Sequence, residues 1–386
     1  MEKIILYTGK GGVGKTSIAA ATASLLAGKG KRTLIISTDP AHSLSDAFET
    51  QIGNSPTEIG DNLWGQEISV IEAINSHWKE LKMYLTGLFQ SQGLDPSTAE
   101  EIATLPGFEE ASHLLYLEDH IKSGKYDVIV MDSAPTGESL KLLSFPEAMS
   151  WYMEKIFPIG RTTAKVIRPL VRPFTSIPFP NDEVLGNMES LYNSLKRIRD
   201  YLADPDLTSI RLVTNPNRMS FNETKRAYTY LLLYGYNVDA LIINKVYPPE
   251  SGEFFKLWIK VQDEILKETN DAFPDLKLFS LKISKSETLG RIDLEKMGKD
   301  LYRDEDPLAV FTKAKPVTYE KSNGKYTVKM KLPFASKEKI NLFNSKGELV
   351  VEVENWRRIF YLPTTFSDKN PVSAEFINGE LNIEMV

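Results

Sequence analysis

The sequence predicts a doubly wound α/β domain, with a mostly parallel sheet and a helical subdomain, followed by a small all-β sandwich. Three observations carry that prediction. An apolar run, Lys3-Ile4-Ile5-Leu6-Tyr7, leads into a glycine-rich loop and then an alanine-rich helical segment, Ser17 to Leu26. Short apolar runs alternate with helical spacing through most of the chain. Around Thr312-Lys313-Ala314-Lys315-Pro316 helical periodicity gives way to strand alternation. The expected boundaries are therefore 1–312 and 313–386.

The loop is Gly9-Lys10-Gly11-Gly12-Val13-Gly14-Lys15-Thr16, followed by Ser17. Strand, glycine loop and helix in that order are the context of a phosphate-binding (P-loop) nucleotide site. Glycines let successive backbone N–H groups turn inward at phosphate oxygens, and the helix adds its positive end. Lys15 is placed to reach the β- and γ-phosphates, and Thr16 to hold Mg²⁺. Lys10 is a second lysine early in the loop. G-K-G-G-V-G-K-T resembles the deviant Walker A motif, in which this lysine reaches a partner subunit's nucleotide. That resemblance implies a homodimer across the nucleotide sites. The plainer alternative is a local positive charge for the triphosphate.

Composition bounds the rest. A chain of 386 residues with 42% hydrophobic and 25% charged residues is an ordinary globular protein with room for two or three domains. A net charge of -6 gives no general reason to expect nucleic-acid binding. With no cysteine, disulfides, cysteine-bound zinc and iron–sulfur clusters are excluded. No apolar run reaches the length of a membrane span, so stable membrane insertion is not expected. The chain enters a strand at once, leaving no room for a leader, so the expected location is the cytoplasm. For a processed protein the plastid stroma is the alternative.

Leu34-Ile35-Ile36-Ser37 reads as a second buried strand, ending in Thr38-Asp39-Pro40-Ala41-His42-Ser43-Leu44-Ser45-Asp46. The carboxyl ends of parallel strands gather on one edge, where ligands bind. Asp39 is then a candidate to orient an attacking water or to meet Mg²⁺ through water, the alternative being a helix cap. Leu63 to Val70 reads as a strand, and Glu72 to Phe89 as a helix. A loop, Ser91 to Ser97, and a helix from Phe108 to Ile121 follow. Tyr126 to Asp132 has the form of a Walker B strand, with Asp132 one water away from Mg²⁺. Directly after it come Pro135, Thr136 and Gly137, where a glycine permits movement near a γ-phosphate.

G-K-G-G-V-G-K-T, T-D-P-A-H-S-L-S-D and D-S-A-P-T-G together resemble the arsenical-pump ATPase family, which includes the ATPases of guided entry of tail-anchored proteins. The likeness covers about 1–312. It implies an ATPase using ATP and Mg²⁺, with Lys10 as signature lysine, Lys15 as Walker lysine and Thr16 as the direct Mg²⁺ ligand. It also implies Asp39 in switch I and Asp132 beside switch II, both meeting Mg²⁺ through water. Asn244, ending the strand Val238 to Asn244, stands in the adenine-contacting position; the alternative is a turn residue. Ile210 to Thr214 and Lys277 to Leu281 are further strands, and Thr224 to Tyr234 and Phe254 to Thr269 further helices.

Two helical regions, about 72–121 and 145–200, are candidates for a client groove. Met149, Tyr152, Met153, Ile156 and Phe157 recur at helical spacing, and Pro169, Pro173, Pro178 and Pro180 prevent one long helix. These apolar residues read either as packed core or, as the family implies, as a groove for apolar helices of client proteins.

In the tail, Tyr326, Val328, Met330 and Leu332 fall two apart, as do Leu349, Val351 and Val353. Ile359 and Tyr361 continue the pattern, then Leu381, Ile383 and Met385, with turns at Ser345-Lys346-Gly347 and Asn378-Gly379. Ala374 to Leu381 resembles the closing signature of the α-crystallin domain of small heat-shock proteins. Such a module either binds clients or docks and stabilises. The expected whole is an ATP-hydrolysing, nucleotide-gated, homodimeric targeting factor or chaperone. The rivals are a positioning or partition ATPase on a membrane or DNA, and an ATP-switched scaffold with the β-domain as its working part.

Overall fold

In the computed structural model, the described residues are 1–39, 43–69, 72, 78–91, 93–102, 108–133, 142–144, 182–313, 315–322, 325–345, 348–363, 365–366 and 369–386. An eight-stranded sheet runs in the order β3-β4-β2-β5-β1-β6-β7-β8. Its strands are β1 Lys3–Gly9, β2 Thr33–Ser37, β3 Thr57–Gly60, β4 Leu63–Glu67, β5 Val128–Asp132, β6 Thr208–Thr214, β7 Val238–Val246 and β8 Lys277–Lys282. All pair in parallel except β3, which closes one edge antiparallel to β4. The glycine loop therefore leaves a central strand, flanked by β5 and β6.

Helices cover both faces, as a parallel sheet requires. They are α1 Lys15–Gly28, α2 Ser43–Phe48, α3 Lys79–Ser91, α4 Pro96–Ile102, α5 Phe108–Ser123, α6 Asp182–Ala203, α7 Arg218–Leu233, α8 Lys256–Ala272 and α9 Gly290–Tyr302. Along β1, Ile4 and Leu6 enter one core with α5, α6 and α7, while Ile5 and Tyr7 enter the other with α1 and α9. Gly298 of α9 is required by this packing, because a Cβ there would stand 2.5 Å from the Ala21 carbonyl oxygen of α1. A buried network then ties α9 to the sheet. Tyr7 Oη lies 2.6 Å from Tyr302 Oη, and Arg211 donates to Tyr302 Oη at 2.8 Å and to the Pro307 carbonyl at 2.6 Å.

Several boundaries differ from the sequence reading. The strand expected to Val70 ends at Glu67, and helix α4 occupies part of the expected Ser91–Ser97 loop and continues beyond it. Helix α7 starts at Arg218 rather than Thr224, because Asn217 caps it by accepting from Ser220 N. Helix α8 begins only after a 3₁₀ turn, Glu253–Phe255, and α9 was not anticipated. Helix α6 runs unbroken for 22 residues, starting just past Pro180, the last of the clustered prolines.

The tail forms two sheets. One is β14-β15-β10-β9 and the other β11-β12-β13. The strands are β9 Val317–Ser322, β10 Lys325–Lys331, β11 Ile340–Ser345, β12 Glu348–Val353, β13 Trp356–Tyr361, β14 Pro371–Ile377 and β15 Glu380–Met385. Val328, Met330, Leu349, Val351, Val353, Leu381, Ile383 and Met385 are buried, as the alternation requires. Asn378 and Gly379 have φ of 51° and 75°, the two positive values of a tight hairpin turn. The phase of β13 is the correction. Leu349 pairs with Phe360, so Phe360 is buried and Ile359 is only half-buried.

This sandwich packs on α7. Tyr230 lies 5.2 Å from the Trp356 ring and donates to Glu354 at 2.7 Å. Arg358 donates to the Leu233 carbonyl at 2.5 Å. Phe334 packs on Tyr228 and Phe273, so one apolar core runs through both parts.

Candidate active site

The carboxyl ends of β1, β2, β4, β5 and β7 meet around the glycine loop. Gly12 and Gly14 have φ of 79° and 91°, values that bulkier residues rarely adopt. A Cβ on Gly9 would stand 2.2 Å from the Val213 carbonyl oxygen, so the loop lies tight on β6. Lys15 is buried and its ammonium donates to the Lys10 carbonyl at 3.4 Å, folded back over the loop. The Thr16 hydroxyl lies 3.2 Å from Ser43 Oγ, which brings the start of α2 to the start of α1.

Asp132 is fully buried between β1 and β2, opposite Tyr7 and Ser37 in register. Among the described residues, neither of its carboxylate oxygens has a well-formed hydrogen bond. Burial pushes its carboxyl up to about 7, and the Asp39 charge adds to the rise. The nearby Thr16 and Ser37 hydroxyls and the Lys15 charge pull the other way. A buried carboxylate left open beside Lys15 and Thr16 fits a site for a cation and its waters. The loop and the first turn of α1 fit an anionic phosphate. The residues present therefore suit Mg²⁺ and a nucleotide.

Asp39 is half-buried at the end of β2, with its backbone N–H on Ser37 Oγ at 3.1 Å. Asn244 comes to the loop from β7. Its amide donates to the Val13 carbonyl at 2.9 Å and accepts from Lys245 N at 2.9 Å. Its buried amide thus holds the glycine loop in place, a contact that the reading as a base-edge residue did not foresee. Lys10 points to the rim and pairs with Glu223 of α7 at 3.2 Å. Pro135, Thr136 and Gly137 lie outside the described residues, as do Met149, Tyr152, Met153, Ile156 and Phe157.

Three further residues build the site. Glu67 ends β4 and is buried; its carboxylate accepts from Leu44 N at 2.9 Å, Ser45 N at 3.1 Å and Ser45 Oγ at 2.8 Å, fixing α2. The signal for it was available, since Asp132 likewise ends its strand in an acid. Lys245, at φ 56°, donates to the Gly12 carbonyl at 2.9 Å. Glu223 gave no local signal, because it meets Lys10 only through the fold.

Comparison with known proteins agrees with this geometry. A family model described as an anion-transporting ATPase matches residues 2–303, and one described as an HSP20-like domain found in ArsA matches 323–385. An Aquifex aeolicus protein, provisionally named arsenical pump-driving ATPase 1, is 39% identical over 99% of this chain and 100% of its own. A Paramecium tetraurelia protein named ATPase ASNA1 homolog 1 is 30% identical over 75% of this chain and 88% of its own. The ATPase GET3 of Eremothecium gossypii is 31% identical over 79% of this chain and 91% of its own. With its nucleotide-shaped loop, parallel sheet and antiparallel tail, the chain belongs to the ArsA ATPase family and carries that family's HSP20-like domain.

Proposed function

We propose that this ATPase works as a Mg²⁺-dependent homodimer in which nucleotide gates the hold on apolar, tail-anchor-like helices of client proteins, as a targeting factor or chaperone. One conjunction at the sheet edge carries the reading. It combines a phosphate-shaped loop, the open buried carboxylate of Asp132 and a rim lysine, Lys10, held on Glu223.

In this reading the backbone of Gly9, Gly11, Gly12, Val13 and Gly14 cradles the phosphates, with Ser17 in the first turn of the helix. Lys15 swings from the Lys10 carbonyl to the β- and γ-phosphates. Thr16 would hold Mg²⁺, with Asp39 and Asp132 supporting it from beside the site. The ion supplies charge neutralisation to the phosphates when bound. Asp39 orients the attacking water, and Lys10 leaves Glu223 for the partner's phosphates. Asn244 borders the base while holding Val13, and Pro135, Thr136 and Gly137 sense the γ-phosphate. Relatives carry names of two kinds, arsenical pump-driving ATPase and GET3. This chain has no cysteine to offer a soft arsenic(III) centre, which favours the targeting reading.

Single-turnover hydrolysis together with capture of an apolar helical peptide tests the proposal. Lys10→Ala is expected to bind ATP but to lose about 10³ in hydrolysis, the low end of a charge supplied in trans. Asp39→Asn is expected to lose about 10² and to trap the ATP state with peptide bound. Wild-type turnover by Lys10→Ala rejects the cross-subunit contact. Failure of trapped Asp39→Asn to retain the peptide rejects the client reading.

A further inference from the structure

The joint between the ATPase part and the sandwich is not closed. A cleft of about 400 Å³ opens between α7, the end of α8 and the sandwich, a size that takes a small molecule. The ATPase part contributes Tyr228, Asp271, Phe273 and Asp275 to it, and the sandwich contributes Lys331, Phe334 and Glu380. The sandwich wall is fixed. Leu332 N donates to the Gly379 carbonyl at 2.7 Å, and a Cβ on Gly379 would stand 2.7 Å from Pro333 Cα. The aromatic wall is fixed as well, since Phe273 stands edge-on to Tyr228 at 5.4 Å and to Phe334 at 5.2 Å. Tyr228 is only 6% exposed and lines the cleft, and among the described residues its hydroxyl makes no hydrogen bond. Burial, and then the Asp275 charge, push that phenol up to about 12, so it keeps its proton.

We propose that this cleft binds a small organic cation, an ammonium or guanidinium on an apolar stem, between the carboxylates of Asp271 and Glu380. Charge selects the sign. Lys331 is the one cation lining the cleft among the described residues. It stands opposite Glu380 in register, yet its ammonium pairs with Asp275 at 3.2 Å. Asp271 and Glu380 have no ion pair among the described residues, so two negative charges at the cleft stand uncompensated. An anion would meet them head-on, and a wholly apolar occupant would bury them without a partner. The rings select the shape. Aromatic faces attract a cation, and Phe334 already does so, with the Lys225 ammonium 5.8 Å from its centroid. An apolar stem can lie on Phe273 and Phe334 while the unbonded Tyr228 hydroxyl accepts an N–H. Because the walls come from both parts of the chain, the occupant staples the sandwich to the ATPase part and stabilises the docked state. Nothing in this site depends on the nucleotide reading above.

Two probes test the site on the full chain. Agmatine carries a guanidinium and an amine on one apolar chain, and spermidine carries amines alone. Titration calorimetry in physiological salt, which screens diffuse attraction to a chain of net charge -6, is expected to show one site per chain for agmatine or spermidine. Glu380→Gln and Asp271→Asn are each expected to raise the Kd of the bound probe about tenfold, and Tyr228→Phe about threefold. Glu375→Gln, which removes an exposed carboxylate elsewhere on β14, is the control and is expected to leave the Kd unchanged. The probe is also expected to raise the melting temperature of the wild type more than that of Glu380→Gln at the same concentration. No binding of either probe at about 10 mM overturns the site. Binding that Glu380→Gln, Asp271→Asn and Glu375→Gln weaken alike is diffuse attraction to a negative surface, and overturns it too.

Discussion

At the residue scale, the decisive contact is Lys10 with Glu223. The lysine expected to serve a neighbour's nucleotide is held within its own protomer, on side chains about a quarter to a third exposed. A pair this wet is worth about 0.5 kcal/mol, enough to bias Lys10 without locking it. Glu223→Gln is accordingly expected to tighten ATP-dependent dimerisation about two- to threefold, read from how turnover varies with protein concentration. Weaker association in that variant would show that Glu223 instead helps the dimer form. The placement of Lys15, Thr16 and Asp132 around the loop was legible in the sequence because their motifs are local. Glu223 was not, because it lies more than two hundred positions from Lys10 in the chain. Asn244 was read as a base-contacting residue or a turn residue; its hydrogen bond to Val13 depends on β7 lying beside β6, which no local pattern encodes.

At the element scale, α5 carries a cost that its sequence hides. His113 is buried on it, and burial pushes its imidazole down to about 4. The unfolded chain takes up a proton there near its ordinary value of 6.5, so between those limits the unfolded state binds more protons. Stability therefore falls as pH drops from about 6.5 to about 4, by on the order of 3 kcal/mol for this group. Denaturant midpoints of the wild type and His113→Gln at pH 7.5 and pH 5 check this, with the variant expected to lose less on acidification. An equal loss in both would place the acid sensitivity elsewhere. Strands were read more surely than helix ends, since buried parallel strands announce themselves as apolar runs. β13 slipped by one residue in the reading because Ile359 and Phe360 are both apolar, and only the pairing with Leu349 decides which faces inward.

At the scale of the whole molecule, the ATPase part and the sandwich share one apolar core across α7. The double variant Trp356→Ala, Arg358→Ala removes a ring contact and a hydrogen bond from that joint, at about 2–3 kcal/mol. Calorimetry is expected to resolve two unfolding transitions in the variant where the wild type shows one. A single undivided transition in both would mean that the remaining contacts, such as Phe334 on Phe273, suffice to couple the parts. The two-part architecture was legible from the change in periodicity near residue 313. The joint was not, because Tyr228, Tyr230 and Tyr234 look like any helix surface until Trp356 and Phe334 arrive from far along the chain.

Helix α7 holds Lys10 near its start and the sandwich near its end, over 16 residues, a rod of about 24 Å. A stiff rod conveys tilt without attenuation. In the proposed cycle, releasing the lysine at one end would give the nucleotide state a mechanical output on the far side of the protomer, with the sandwich riding on it as a pointer.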